Sequence, residues 1–138
     1  MGSTAEKAAQ TTRRVLLVDD DEDVLDQLTL IFQADGFQVK TAASRAEGED
    51  ALLGYDPDIC VFDLMMEEMD AGFVLSNTAK RLHPDVPVIL LTAVVSATGM
   101  DVRPKSDSAR AWVKADAILD KPVRPEQLRE EVKRLLHC

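Results

Sequence analysis

Five short apolar runs alternate along the chain with stretches whose apolar residues recur every three or four positions. Residues 15–18 (VLLV) form the first run. Val24, Leu25, Leu28, Ile31 and Phe32 follow at helical spacing, and Gly36 stands where a helix C-terminus favours glycine. Residues 37–42 alternate apolar and polar, which predicts a second strand. Ser44-Arg45-Ala46-Glu47 has the spacing of a capping box and opens a second helix. Pro57 and Asp58 lead into a third strand over 59–62. Over 72–82, Phe73, Val74, Leu75, Ala79 and Leu82 predict a third helix with these residues on one side, stopped by Pro84. Residues 86–91 are the most apolar run, as expected of a central strand, and 115–119 predict a shorter one. Pro125 suits the first position of a last helix, whose apolar stripe is Leu128, Val132, Leu135 and Leu136.

This alternation, with nearly all-apolar strands, predicts an α/β fold: a doubly wound, five-stranded parallel sheet with helices on both faces. Right-handed crossovers favour the flavodoxin-like strand order 2-1-3-4-5. Residues 13–138 read as one domain behind a flexible N-terminal tail, residues 1–12. The least regular stretch is 96–114, where Gly99 and Pro104 interrupt any long helix. It reads as a loop and then a short helix over 107–114, with Trp112 packing that helix onto the sheet.

Composition narrows the function. With 138 residues and a 46% hydrophobic fraction the chain has room for one core. Its 25 acidic against 16 basic residues, net charge −9, argue against direct binding of nucleic acid, which requires a basic face. The two cysteines, Cys60 and Cys138, form no CxxC pair, and Cys60 within ICVF reads as a buried free thiol suited to a reducing compartment. The N-terminus lacks the apolar segment of a signal peptide, and Glu6 breaks the myristoylation pattern. No apolar run reaches membrane-spanning length, so no membrane contact is expected and the protein reads as cytoplasmic.

The polar residues that matter fall where strands end. Open α/β sheets bind ligands at the carboxyl ends of their strands, near the point where strand order reverses. The first strand runs into Asp19-Asp20-Asp21, the third ends at Asp63, the fourth at Thr92 and the fifth near Lys121. Converging carboxylates repel one another unless a positive charge sits among them, and a hard divalent cation with oxygen ligands suits such a set. Lys121 and Thr92 would face an anion completing the cation's shell, with one carboxylate as nucleophile: the logic of a phosphoryl site. Asp21, Glu22 and Asp23 read as favourable charges at a helix N-terminus, with Asp21 as the cap. Met65, Met66 and Met69 read as loop packing, the run 47–50 as a solvated helix face, and His83 and His137 as surface residues.

VLLVDDDED, CVFDLMMEEMDAG, VILLTA and ILDKPVRPEQL, in this order and spacing over roughly residues 13–137, resemble the receiver domain of bacterial two-component response regulators. The resemblance implies Asp63 as phosphoacceptor, Lys121 and Thr92 as phosphate-facing residues, and Mg²⁺ held by Asp19, Asp20, Asp63 and the backbone carbonyl of Met65. It makes Ala93 the small residue that leaves the phosphate accessible and implies a cis Lys121–Pro122 peptide. The implied partner is a sensor histidine kinase or a histidine phosphotransfer protein, with an unknown downstream target and a homodimer on phosphorylation left open. It also implies no catalysis beyond the domain's own phosphorylation and dephosphorylation.

Four departures from the family pattern stand out. Glu67 replaces a common Pro, and Ala71-Gly72 replaces a Gly normally one position earlier. Ile118 occupies the place of an aromatic switch residue, and the segment after the fourth strand is several residues longer than usual. The last two predict an altered output, through residues 95–113 or through repacking. Apolar Met65 and Val94, two positions beyond Asp63 and Thr92, predict slow loss of phosphate, since they position an attacking water poorly. The alternatives are an interaction module independent of phosphorylation, and an Mg²⁺-dependent phosphatase. The latter is disfavoured by Met65 where an acid–base Asp is common.

Overall fold

The computed structural model describes residues 13–64, 71–93 and 115–136. The expectations for the tail, Met65, Met66, Glu67, Met69, the side chain of Ala93, Val94, the 95–113 segment with Trp112, and His137 and Cys138 lie outside the described residues. The elements are β1 (Arg14–Val18), α1 (Glu22–Ala34), β2 (Gln38–Ala42), α2 (Arg45–Gly54) and β3 (Ile59–Asp63). They continue with α3 (Ala71–Leu82), β4 (Val88–Ala93), β5 (Ala117–Lys121) and α4 (Pro125–Leu136). All strand pairs are parallel and the order is β2-β1-β3-β4-β5, as the alternation predicted.

The helix ends follow local chemistry. Asp21 caps α1, its Oδ1 accepting the Asp23 N–H at 2.9 Å. At the other end Gly36 takes φ +88°, which a side chain would strain. Its N–H donates to Gln33 O and that of Phe37 to Phe32 O, both at 3.0 Å, while the Phe32 and Phe37 rings pack edge-on at 5.0 Å. This is the hydrogen-bond pair and apolar clasp of a Schellman ending. Ser44 Oγ accepts the Glu47 N–H at 3.1 Å to cap α2. The returning Glu47 carboxylate reaches the Ala43 N–H at 3.4 Å, one residue before the cap.

Alternate strand residues feed two cores. Val15, Leu17, Val61, Ile89, Leu91 and Leu119 meet α1 and α4 on one face. Leu16, Val18, Cys60, Phe62 and Leu90 meet α2 and α3 on the other, with Ile118 half-buried against them. At roughly 25 cal/mol per Å² of apolar surface, such two-sided burial is the dominant stabilising term. The largest differences from the pattern are in β4 and β5, which each start and end two residues later than periodicity predicts. The Val86 N–H donates to His83 O in the turn after α3, so Val86 is spent there. The Asp116 side chain takes the Val88 N–H at 2.8 Å, so the β4–β5 ladder opens beyond it.

The buried face of α3 also differs. It consists of Ala71, Gly72, Leu75, Ser76, Thr78 and Ala79, while Phe73 and Val74 are half-buried and Leu82 is exposed. Small residues let the helix approach the sheet and α2 closely. His83 is not a surface residue: its ring is 16% exposed, with Nε2 2.9 Å from Leu52 O and Nδ1 3.7 Å from the Asp56 carboxylate. Nor is the 47–50 stretch wholly solvated, since Gly48 is buried and Glu49 pairs with Arg45 at 2.6 Å.

Candidate functional site

The strand ends converge as the strand order requires. Asp19 follows β1 and its N–H donates to Ala42 O at 3.1 Å, extending the pairing with β2. Its Oδ1 accepts the Asp21 N–H at 2.9 Å, which turns the chain into α1, and its Oδ2 accepts from Lys121 Nζ at 2.9 Å. Asp19 is buried, whereas Asp20 is exposed. Asp63 ends β3 and is buried, its Oδ1 3.3 Å from Lys121 Nζ. Lys121 sits in register with Ala93 at the far end of β5, and the Lys121–Pro122 peptide is cis.

Asp19, Asp63 and Lys121 share strand parity with the residues packed against α1 and α4. Thr92 shares parity with Leu90, on the face toward α2 and α3, and emerges at the same carboxyl edge. Its hydroxyl is buried and has no hydrogen-bond partner among the described residues.

The electrostatics show how little offsets the carboxylates. Burial first and the neighbouring Asp19 second push the Asp63 carboxyl up to about 7, Lys121 only partly countering them. For Lys121, burial alone would lower the ammonium, but its hydrogen bond to Asp19 and the charges of Asp63 and Asp19 outweigh that and raise it. One ammonium therefore serves two buried carboxylates, with a third close by.

Oxygens of Asp19, Asp20 and Asp63 all lie within 4.8 Å of one another. An all-carboxylate set without His or Cys suits a hard cation such as Mg²⁺ better than zinc. The poorly compensated Asp63 fits a cluster that could bind a cation, and the buried Thr92 hydroxyl beside it has no partner among the described residues.

A doubly wound parallel sheet with a lysine-bridged acidic pocket at its switch point is the architecture of a signalling receiver domain. The chain belongs to the response regulator receiver domain family, whose sequence profile matches residues 15–133. It is similar to the response regulator SaeR of Staphylococcus aureus, 33% identical over 123 residues, covering 88% of this chain and 50% of SaeR. It is also similar to the transcriptional regulatory protein GlrR of Escherichia coli, 43% identical over 79 residues, 57% of this chain and 18% of GlrR. The chain thus spans half or less of the length of these relatives.

Among solved structures, a CheY-like response regulator receiver domain protein from Methanospirillum hungatei superposes with a TM-score of 0.76 at 28% identity, covering 92% of this chain and 95% of that one. The receiver domain of a signal transduction histidine kinase from Syntrophus aciditrophicus gives 0.72 at 27% identity, covering 91% of each chain.

Every described residue expected at the site stands at this edge. Sequence reasoning missed two supporting features. Gly72 presses α3 onto the backbone just after Asp63. Asp116 ties Lys80 and β4 to the start of β5, its Oδ2 accepting from Lys80 Nζ at 2.7 Å and from the Val88 N–H at 2.8 Å. The Ala71-Gly72 departure pointed toward the first; no local pattern announces the second.

Proposed function

We propose that this chain is a phosphoacceptor receiver of a two-component system, taking a phosphoryl group from a phosphohistidine onto Asp63. The observation that carries this reading is the Asp19–Lys121–Asp63 arrangement, one ammonium 2.9 and 3.3 Å from two buried carboxylates at adjoining strand ends. Asp63 is the nucleophile: its carboxylate oxygen attacks phosphorus in line, and the bond to the histidine nitrogen breaks. Lys121 already bridges the pocket and is placed to neutralise the phosphoryl oxygens. The Thr92 hydroxyl, which has no partner among the described residues, would donate to the same group. Asp19 anchors Lys121 and, with Asp20, Asp63 and the Met65 carbonyl, would hold Mg²⁺. When bound, that ion supplies positive charge that offsets the acidic cluster and the transferred group.

The aspartyl-phosphate then biases a two-state equilibrium of the domain. Its donor is a sensor histidine kinase or a histidine phosphotransfer protein in the cytoplasm, and the domain catalyses only its own phosphorylation and dephosphorylation. The test is intact-mass analysis after incubation with acetyl phosphate. Wild type gains one phosphoryl group only with Mg²⁺, and Asp63→Asn gains none. A wild type that binds Mg²⁺ yet stays unmodified at every time point would turn the reading toward an interaction module independent of phosphorylation.

A further inference from the structure

We infer that Gly72, on the first turn of α3, is the positioning residue that sets where Asp63 stands, by letting the helix backbone lie directly against the peptide that follows the phosphoacceptor. This rests on the reading of Asp63 given above. A Cβ at position 72 would fall 2.5 Å from Leu64 Cα, 2.6 Å from the Asp63 carbonyl oxygen and 3.1 Å from Leu64 N. All three are backbone atoms, so no side chain can move aside.

The contact is tied on both sides. The Gly72 N–H donates to Leu64 O at 2.8 Å, giving an otherwise unpaired amide of the first helical turn its acceptor. The Leu64 N–H donates to Leu91 O at 2.8 Å, and the Leu64 side chain is buried in the core beneath α2 and α3. Leu64 is therefore held between β4 and α3, and Asp63 immediately precedes it.

Gly48 gives the contrast. A Cβ there meets only side chains, Leu75 Cδ2 at 3.0 Å and Val18 at 3.1 and 3.3 Å, which can yield. Gly48 spaces α2 from side chains of α3 and β1, whereas Gly72 spaces a helix from the backbone of the site. The need is for the missing Cβ, since only Gly36 among the described glycines has a positive φ.

An alanine at this position must move α3 or the Asp63–Leu64 peptide by at least about 0.5 Å, from 2.5 Å to the 3.0 Å that real Cβ contacts respect. Displacements of this order at a reacting centre lower rates steeply. Phosphorylation by acetyl phosphate at saturating Mg²⁺ is measured on the full chain for wild type, Gly72→Ala, Gly48→Ala and the exchange Ala71→Gly/Gly72→Ala, with thermal unfolding of each. The expected result is a rate constant about 10- to 100-fold lower in both chains that carry Gly72→Ala. Gly48→Ala should leave the rate within about twofold of wild type.

If the exchange chain regains the wild-type rate, a glycine anywhere in the turn suffices and the inference is overturned. It is equally overturned if Gly72→Ala folds and reacts like wild type. A wild type that takes no phosphoryl group defeats the reading of Asp63 itself, a distinct outcome visible before any variant is compared. Should neither chain carrying Gly72→Ala fold, amide exchange on the wild type decides. The Gly72 N–H must exchange as slowly as the Leu64 N–H, and exchange at the rate of an open amide overturns the inference.

Discussion

Lys121 Nζ donates to Asp19 Oδ2 at 2.9 Å across 102 residues of sequence, joining the last strand of the sheet to the end of the first. Asp19 is almost wholly buried, so this ammonium is its only cationic partner among the described residues. The same nitrogen lies 3.3 Å from Asp63. Removing it leaves two buried carboxylates facing each other. Lys121→Met should destabilise the metal-free protein by about 2–4 kcal/mol, as when a buried pair loses one member. Added Mg²⁺ should recover part of that loss. Urea unfolding of both proteins, with and without Mg²⁺, measures it; an unchanged midpoint for the metal-free variant would contradict the pairing.

The Asp63 carboxyl makes the metal-free stability depend on pH. Burial and the neighbouring Asp19 hold it at about 7, against 3.8 for the free group. The folded state therefore binds this proton more tightly than the unfolded state. Its stability contribution is complete below about pH 4 and is lost as pH rises through about 7. Asp63→Asn carries no such proton. Relative to wild type, its stability should increase between pH 4 and pH 8, by a few kcal/mol at most. Chemical unfolding in chelator across that range checks the sign; parallel curves would refute it.

Thr92 carries a buried hydroxyl with no hydrogen-bond partner among the described residues. Such a group costs free energy in the resting fold, so Thr92→Val should leave stability unchanged or raise it by about 1 kcal/mol. The cost is accepted if the hydroxyl serves the phosphorylated state, where the variant should show weakened coupling of phosphorylation to conformation. Thermal unfolding gives the first quantity. A stability loss above about 1 kcal/mol would reveal a resting partner for the hydroxyl.

Asp116 accepts from Lys80 Nζ and the Val88 N–H, and its own N–H donates to Val88 O at 2.8 Å. Lys80 also donates to Val86 O at 2.9 Å. Asp116→Ala leaves the Val88 N–H unpaired and should cost about 1–3 kcal/mol. Asp116→Asn loses the charge but keeps one oxygen, which is what both donors share, and should cost less. Comparing the two by denaturant midpoint checks the order; equal losses would assign the effect to charge alone.

Cys60 is fully buried on β3, and burial pushes its thiol well above the ordinary range. Only the thiolate reacts readily. Iodoacetamide should leave Cys60 unmodified in the folded protein and label it once urea unfolds the chain. Peptide mapping reads this directly, and labelling under native conditions would show local opening of the sheet.

The sequence by itself determined the elements and the residues delivered to the strand ends. Apolar period two or continuous runs, period 3.6, a cap such as Asp21 or Ser44 and a terminator such as Gly36 are local properties, complete within a few residues. Given five buried parallel strands, the crossover rule then brings Asp19, Asp63, Thr92 and Lys121 to one edge.

What only the tertiary structure decided depends on residues far apart in the chain. The starts of β4 and β5 are set by Asp116 reaching back to Val88, so periodicity placed both strands two residues early. The face that α3 buries follows from how near it stands to the sheet and α2, so Ser76 and Thr78 lie inside while Leu82 does not. His83 is drawn inward by Leu52 O on α2. The absence of a side chain at Gly72 matters only because the backbone after Asp63 lies against it. Local propensity carries no information about which surfaces meet, and close packing makes the meeting specific to fractions of an ångström.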